Sequence, residues 1–326
     1  MAVRTLLESI RETLAEEMRR DPTMIVLGED VGRKGGVFLT TDGLWAEFGE
    51  DRVIDTPLTE SLIVGASIGA AVNGLRPVPE IQFADFIFPA FNQIVSEAAR
   101  LRYRSNNAFG CPITIRAPYG GGVHGALYHS QSVEAYFTHV PGLKVVVPST
   151  PYDARGLLRS AIRDPDPVLF FEHKKLYRSV RGEVPDTDYV VPLGRAQVTR
   201  PGDHVTVIAY GLMAHYSLEA AELVAGEGIS VEVIDLRTLR PLDTETILGS
   251  VKKTGKCVIV YEDNRFGGYG AEVAAVLAEE AFDYLDGPPL RVGAPFSPVP
   301  YSPVLEKAWI PGADQIVAKA LSLVGA

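Results

Sequence analysis

Apolar positions at Leu6, Leu7, Ile10, Leu14 and Met18 recur every three or four residues, which predicts an opening helix with one buried face, ending near Asp21-Pro22. A short apolar run over 24–27 predicts a strand. Residues 60–74, ESLIVGASIGAAVNG, are apolar on nearly every side and rich in Gly and Ala, the pattern of a helix buried among close neighbours. Runs over 78–83, 113–115, 144–147 and 168–171 read as strands, with helix-like stretches at 91–104 and 152–163 between them. That alternation predicts a mostly parallel sheet flanked by helices on both faces.

Around Val184-Pro185-Asp186-Thr187-Asp188 the chain turns polar, and a second alternating pattern then begins. Strands are predicted over 204–210, 230–236, 257–261 and near 290–292, and helices over 214–226, 242–252 and 269–284. The expectation is an α/β protein of two domains, 1–188 and 189–326, with the boundary inside 183–195. A chain of 326 residues is long enough to give each its own core.

Composition narrows the function classes. A formal net charge of −10 argues against nucleic acid or an anionic membrane surface as the main partner. Two separated cysteines, Cys111 and Cys257, exclude a disulfide framework or a Cys-rich zinc site and suit a reducing compartment. With no signal-peptide core and no apolar stretch long enough to span a bilayer, the expected location is the cytoplasm.

Candidate chemistry lies in the first half. Glu60 opens the apolar helix after Asp55-Thr56-Pro57-Leu58-Thr59, where Pro57 fits a helix start and Thr56 or Thr59 can cap it. An acidic first turn often does no more than complement the helix dipole. Here, however, no cationic residue follows until Arg76, so the carboxyl faces apolar surface, where desolvation favours its neutral form and prepares it for proton exchange. The stretch EIQFADFIF closes a strand and opens a loop, the end of a parallel strand where ligands bind. Phe83 and Phe88 read as core, while Phe86 beside Asp85 is placed to stack on a flat ring.

The segment Tyr119–Ser132, YGGGVHGALYHSQS, combines three glycines with two histidines and several hydroxyls. A phosphate-cradling P-loop fails because no Lys-Ser/Thr follows the glycines. A metal site on His124 and His129 is disfavoured by their spacing of five and the lack of an adjacent Cys or carboxylate. Acid/base or hydrogen-bonding roles suit these histidines better, and no G-x-S-x-G elbow marks a serine hydrolase.

Seven segments in order, VLGEDVGRKGGVF, RVIDTPLTES, PEIQFADFIFPAFNQIVSEAARLRYRS, GGGVHGALYHSQS, HVPGLKVVVPSTPYDARGLL, DPVLFFEHKKLYR and VEVIDLRTLRPLD, resemble the beta subunits of heterotetrameric 2-oxoacid dehydrogenases. These are the decarboxylating first component of the pyruvate and branched-chain multienzyme complexes. The resemblance implies a thiamine-diphosphate-binding pyrimidine-type domain followed by a transketolase C-terminal-like domain. It also implies an α2β2 assembly with thiamine diphosphate at the α/β interface, and reductive acylation of the lipoyl group of an acyltransferase partner.

By the same resemblance, Glu60 is similar to the glutamate that hydrogen-bonds the aminopyrimidine ring and favours its imino tautomer. Phe86 matches the aromatic that stacks on that ring, and Leu58 and Gln82 match further cofactor-lining positions. His129 matches the loop histidine that assists acyl transfer, with His124 in a lesser role. A structural potassium ion is implied on oxygens of Cys111, Ile113, Thr114, Ala161, Asp164 and Asp166. The family's Gly-Asp-Gly for Mg²⁺ is absent, so the metal is expected on an alpha subunit, without which the chain should be inactive and bind thiamine diphosphate weakly.

Among related readings, an acetoin or pyruvate dehydrogenase beta subunit shares this architecture, and the FADFIFPAFNQIV stretch leans toward branched-chain 2-oxoacids. A single-chain transketolase relative fails on length and on the missing metal motif. From another class comes a non-catalytic nucleotide-binding or assembly module, although Gly267-Gly268-Tyr269-Gly270 is no dinucleotide fingerprint.

Overall fold

A computed structural model describes residues 1–325. The chain forms two compact units, one of residues 1–119 and 136–193, the other of residues 120–135 and 194–326. The stretch 120–135 therefore groups with the second unit although it interrupts the first in sequence.

In the first unit, β1 (Ala2–Thr5) leads into α1 (Leu6–Arg20), whose start is fixed by a capping box. Thr5 accepts from the Glu8 N–H, and Glu8 in turn accepts from the Thr5 N–H at 2.7 Å. The five apolar positions on the predicted face of α1 are all buried. The sheet is built from β2 (Met24–Gly28), β3 (Val53–Asp55), β4 (Arg76–Glu80), β5 (Thr114–Tyr119), β6 (Lys144–Val146) and β7 (Val168–His173), with α2 (Glu60–Val72) and α3 (Pro151–Arg163) among its connections. These strands lie in the order β6-β7-β5-β4-β2-β3, all parallel. A last strand, β8 (Arg181–Val184), pairs antiparallel with β1.

β4 carries Pro77 and Pro79 in a central position, where proline normally argues against a strand. The register explains the exception. Even-numbered residues of β4 face β2, as the Arg76 N–H does toward Thr23 O, and odd-numbered ones face β5, as the Ile81 N–H does toward Arg116 O. Both prolines fall on the β5 side, and β4 meets β5 in register only at Glu80↔Arg116.

Two helix expectations need correction. The stretch 91–104 is not one α-helix but a π-helical segment, Gln93–Ala98, followed by a short α-helix, Leu101–Arg104, with Ala99 N–H bonding back to Ile94 O. α2 is not buried all round: Ile63, Val64 and Ser67 are covered, whereas Leu62 is 50% exposed and Ala66 and Gly69 share its open face.

The second unit repeats the βα alternation. β9 (Gln197–Arg200), β10 (Val205–Ala209), β11 (Val231–Asp235), β12 (Cys257–Asn264) and β13 (Leu290–Ala294) lie in the order β13-β12-β10-β11-β9. Only β9 runs antiparallel to its neighbour. The helices are α4 (Leu212–Ala225), α5 (Thr244–Thr254), α6 (Gly270–Glu280), α7 (Pro303–Trp309) and α8 (Ala313–Val324). The last two were not anticipated from the pattern. Among the described residues no helix is long and apolar enough to cross a membrane.

Candidate active site

The C-terminal ends of the parallel strands in the first unit converge on a set of carboxylates. Register places Gly28, Asp55, Glu80 and Arg116 side by side, the end of an open α/β sheet at which ligands bind. Glu60, the first residue of α2, follows from β3 and is only 8% exposed. No side chain among the described residues hydrogen-bonds or ion-pairs its carboxylate. Its helix start lacks a side-chain cap as well: Thr59 makes no capping bond, and the buried Oγ1 of Thr56 has no partner. The capping role expected of these threonines is therefore not taken up.

The niche is also less apolar than the sequence pattern implies. Glu29 lies close enough that its carboxyl is pushed up, first by burial and then by the negative charges of Glu60 and Asp30. Sequence reasoning does not single out Glu29, although it stands directly after the strand that ends at Gly28 and inside the VLGEDVGRKGGVF segment.

Phe86 ends a 3₁₀ turn, Ala84–Phe86, and is half-buried, with its ring edge-on to Phe83 at 5.9 Å. Phe83 in turn meets Phe38 edge-on at 5.5 Å. Gln82 is half-buried, and Leu58 is 77% exposed. Phe88, expected in the core, is 38% exposed and packs edge-on against Tyr136.

Beneath these residues is a buried ionic network that the sequence did not reveal. The guanidinium of Arg116, fully buried, donates to Glu80 Oε2 at 2.6 Å and to both oxygens of Glu172 at 2.6 and 2.8 Å. Tyr177 donates to Glu172 Oε2 at 2.6 Å, and Thr40 to Glu80 Oε2 at 3.1 Å. Burial opposes the charge on Arg116, but Glu172 and Glu80 outweigh it and hold the guanidinium protonated. Glu172 is itself pushed up by burial, against the pull of Arg116. Each guanidinium nitrogen of Arg116 and both oxygens of Glu172 have a partner, so the network acts as a frame that fixes the ends of β4, β5 and β7.

In the second unit the stretch 120–135 forms a glycine-hinged loop. Gly120 and Gly122 take φ of 82° and 81°, and the non-glycine residues His124 and Ala126 also adopt positive φ, 60° and 57°. Gly121 donates its N–H to Glu262 Oε1 at 2.6 Å, and Gly122 donates to Glu306 Oε1 at 2.9 Å. His124 Nδ1 lies 2.5 Å from Glu306 Oε2. His129 is half-buried further along the loop, and its N–H bonds Ala126 O. At the loop's end Glu134 is fully buried and accepts from the Tyr210 hydroxyl at 2.7 Å. Burial, reinforced by Asp263, pushes the Glu134 carboxyl up to about 8, while burial lifts Asp263 to about 6.

The residues named for potassium do gather at one turn, since Cys111 N–H bonds Pro165 O and Val168 N–H bonds Ile113 O. Their charges are already answered. Asp164 Oδ1 takes Lys144 Nζ at 2.7 Å, Asp166 Oδ1 takes Arg102 Nε at 2.5 Å, and Arg76 reaches the Asp164 carbonyl at 3.1 Å. A monovalent cation would compete with three cationic side chains, which is a poor fit. Among the described residues no group of three or more His, Cys, Asp or Glu side chains is arranged to hold a metal ion.

Comparison with known proteins adds independent information. Residues 3–180 match the family described as transketolase, pyrimidine binding domain, and residues 194–316 match transketolase, C-terminal domain. The chain is 57% identical over 319 residues to the 2-oxoisovalerate dehydrogenase subunit beta of Bacillus subtilis (strain 168), covering 98% of each. It is 48% identical over 320 residues to the pyruvate dehydrogenase E1 component subunit beta of the same organism, again covering 98% of each. Among solved structures it resembles a split gene transketolase, inactive beta4 tetramer, with a TM-score of 0.80, 26% identity and 98% of each chain covered.

Proposed function

Because the chain belongs to the family of 2-oxoacid dehydrogenase beta subunits built on transketolase-type domains, we propose that Glu60 is its thiamine-diphosphate-binding carboxyl in the oxidative decarboxylation of a branched-chain 2-oxoacid. The observation that carries this reading is the state of Glu60. A carboxylate nearly out of water at a strand end where ligands bind, with no donor among the described residues, calls for a donor from a ligand. An aminopyrimidine offers such a group, and the buried Thr56 hydroxyl, four residues before Glu60, is a second polar atom without a partner.

Thiamine diphosphate, when bound, supplies the electron sink for decarboxylation. The chain's own residues would bind, orient and manage protons. Glu60 would accept a hydrogen bond from the aminopyrimidine ring and exchange a proton with it. Phe86 offers a ring face for stacking, and Gln82 and Leu58 would line the cofactor as well. The Arg116 frame keeps β4 and β5 from shifting under these groups. His129 would assist transfer of the acyl group to a lipoyl partner.

An alpha subunit would supply the Mg²⁺ and the diphosphate contacts, since the chain lacks a Gly-Asp-Gly. The assembly would be α2β2, serving a lipoyl acyltransferase. The split gene transketolase that the chain resembles is an inactive beta4 tetramer, which supports dependence on a partner. The higher identity to the 2-oxoisovalerate relative supports a branched-chain substrate, with pyruvate as the second reading on the strength of the 48% match.

The test is Glu60→Gln in the enzyme reconstituted with its alpha subunit. Decarboxylation of 3-methyl-2-oxobutanoate is expected to fall by about a hundredfold or more. Turnover equal to wild type would defeat the reading and favour an assembly role. On the unmodified enzyme, kcat/KM for 3-methyl-2-oxobutanoate should exceed that for pyruvate by about tenfold.

A further inference from the structure

The glycine loop is held by side chains that come from far along the sequence. We propose that Glu306, seconded by Glu262, is a positioning residue that clamps this loop and so sets where its histidines stand. The inference rests on the reading of His129 given above and adds the residue that controls it.

The geometry supports a clamp rather than a passing contact. Glu306 is buried on α7 and uses both carboxylate oxygens on one loop: Oε1 takes the Gly122 N–H and Oε2 faces His124 Nδ1. Glu262, near the end of β12, takes the N–H immediately before, that of Gly121. A Cβ at Gly121 would stand 2.9 Å from Ile310 Cδ1 and 3.3 Å from Glu306 Oε1, so the loop backbone is drawn down onto α7. α7 is itself tied in place, since Trp309 Nε1 donates to the Ser297 carbonyl at 3.1 Å.

The loop needs holding. Left-handed φ is unfavourable for L-residues, yet His124 and Ala126 both adopt it between the clamp and His129. With Nδ1 engaged by Glu306, His124 is fixed in orientation while its side chain remains 57% exposed. The constraint then passes through four residues to His129, whose backbone N–H closes a turn on the strained Ala126.

The experiment compares Glu306→Gln, His124→Ala and His124→Asn with wild type in the full α2β2 enzyme. Asn keeps a donor at the Nδ1 position, so it should restore what Ala removes. Amide hydrogen exchange over residues 120–130 is expected to quicken about tenfold in Glu306→Gln and in His124→Ala, and to return near wild type in His124→Asn. The same two loosened variants should lose about tenfold in kcat/KM for acylation of a lipoyl domain, and distinctly less in decarboxylation read with ferricyanide.

Unchanged exchange in Glu306→Gln and His124→Ala overturns the clamp. Faster exchange with no loss of lipoyl acylation overturns the positioning role. Because the His124 side chain is exposed, His124→Ala keeps the test decisive should Glu306→Gln not fold. Should wild type fail to acylate a lipoyl domain at all, the functional reading is what fails, and the exchange data still decide the clamp.

Discussion

Arg116 and Glu134 are both fully buried ionisable groups, yet they are accommodated in opposite ways. In the first unit an ion is answered by ions: Arg116 bridges Glu80 and Glu172, and Tyr177 and Thr40 fill remaining acceptor positions. In the second unit Glu134 and Asp263 have no lysine or arginine ion pair among the described residues. Burial there favours the protonated form instead, pushing Glu134 up to about 8 and Asp263, less strongly, to about 6. A compensated network has one preferred charge state, whereas a proton-relieved one changes with the medium.

The largest effect should come from breaking the compensated side. Arg116→Met leaves two buried carboxylates without their cation and is expected to destabilise the chain by about 3–5 kcal/mol in urea unfolding. A loss under about 1 kcal/mol would mean that water reaches the network.

Next comes the proton-relieved side. The folded Glu134 carboxyl sits above its ordinary value of 4.5, so the folded state holds the extra proton. Its contribution is complete below 4.5 and is lost as pH rises through about 8. Stability should therefore decline across that window at about 1.4 kcal/mol per pH unit. Glu134→Gln should flatten the decline, leaving Asp263's narrower window from 3.8 to about 6. An unaltered slope in the variant would remove Glu134 from the account.

The smallest test sets two tyrosines side by side. Tyr177→Phe removes a donor to an ion-paired carboxylate and should cost about 1.5–3 kcal/mol, whereas Tyr210→Phe at about pH 6.5 removes one from a mostly protonated carboxyl and should cost about 0.5–1.5. Equal losses would erase the distinction between the units.

What the sequence made legible follows the reach of each interaction. Periodicity located α1 and every central strand, because burial of a face leaves a local imprint. β4 was placed two residues late, since its prolines read as strand breakers until the register shows their N positions facing a nearly unpaired side. Glu60 was visible through its apolar helix, but Glu29 was not, because the two meet only in space. The Arg116 network joins positions 80, 116, 172 and 177, and the loop clamp joins 122 to 306. Neither leaves any spacing to read.

The separation between Gly122 and Glu306, 184 residues, orders events during synthesis. The ribosome releases the histidine segment long before the carboxylate that grips it exists. Until α7 has emerged and docked, that segment lacks its anchor, so a nascent chain cannot present an organised histidine loop prematurely. Competence would arrive late in translation, after the framework of the first unit has had time to form.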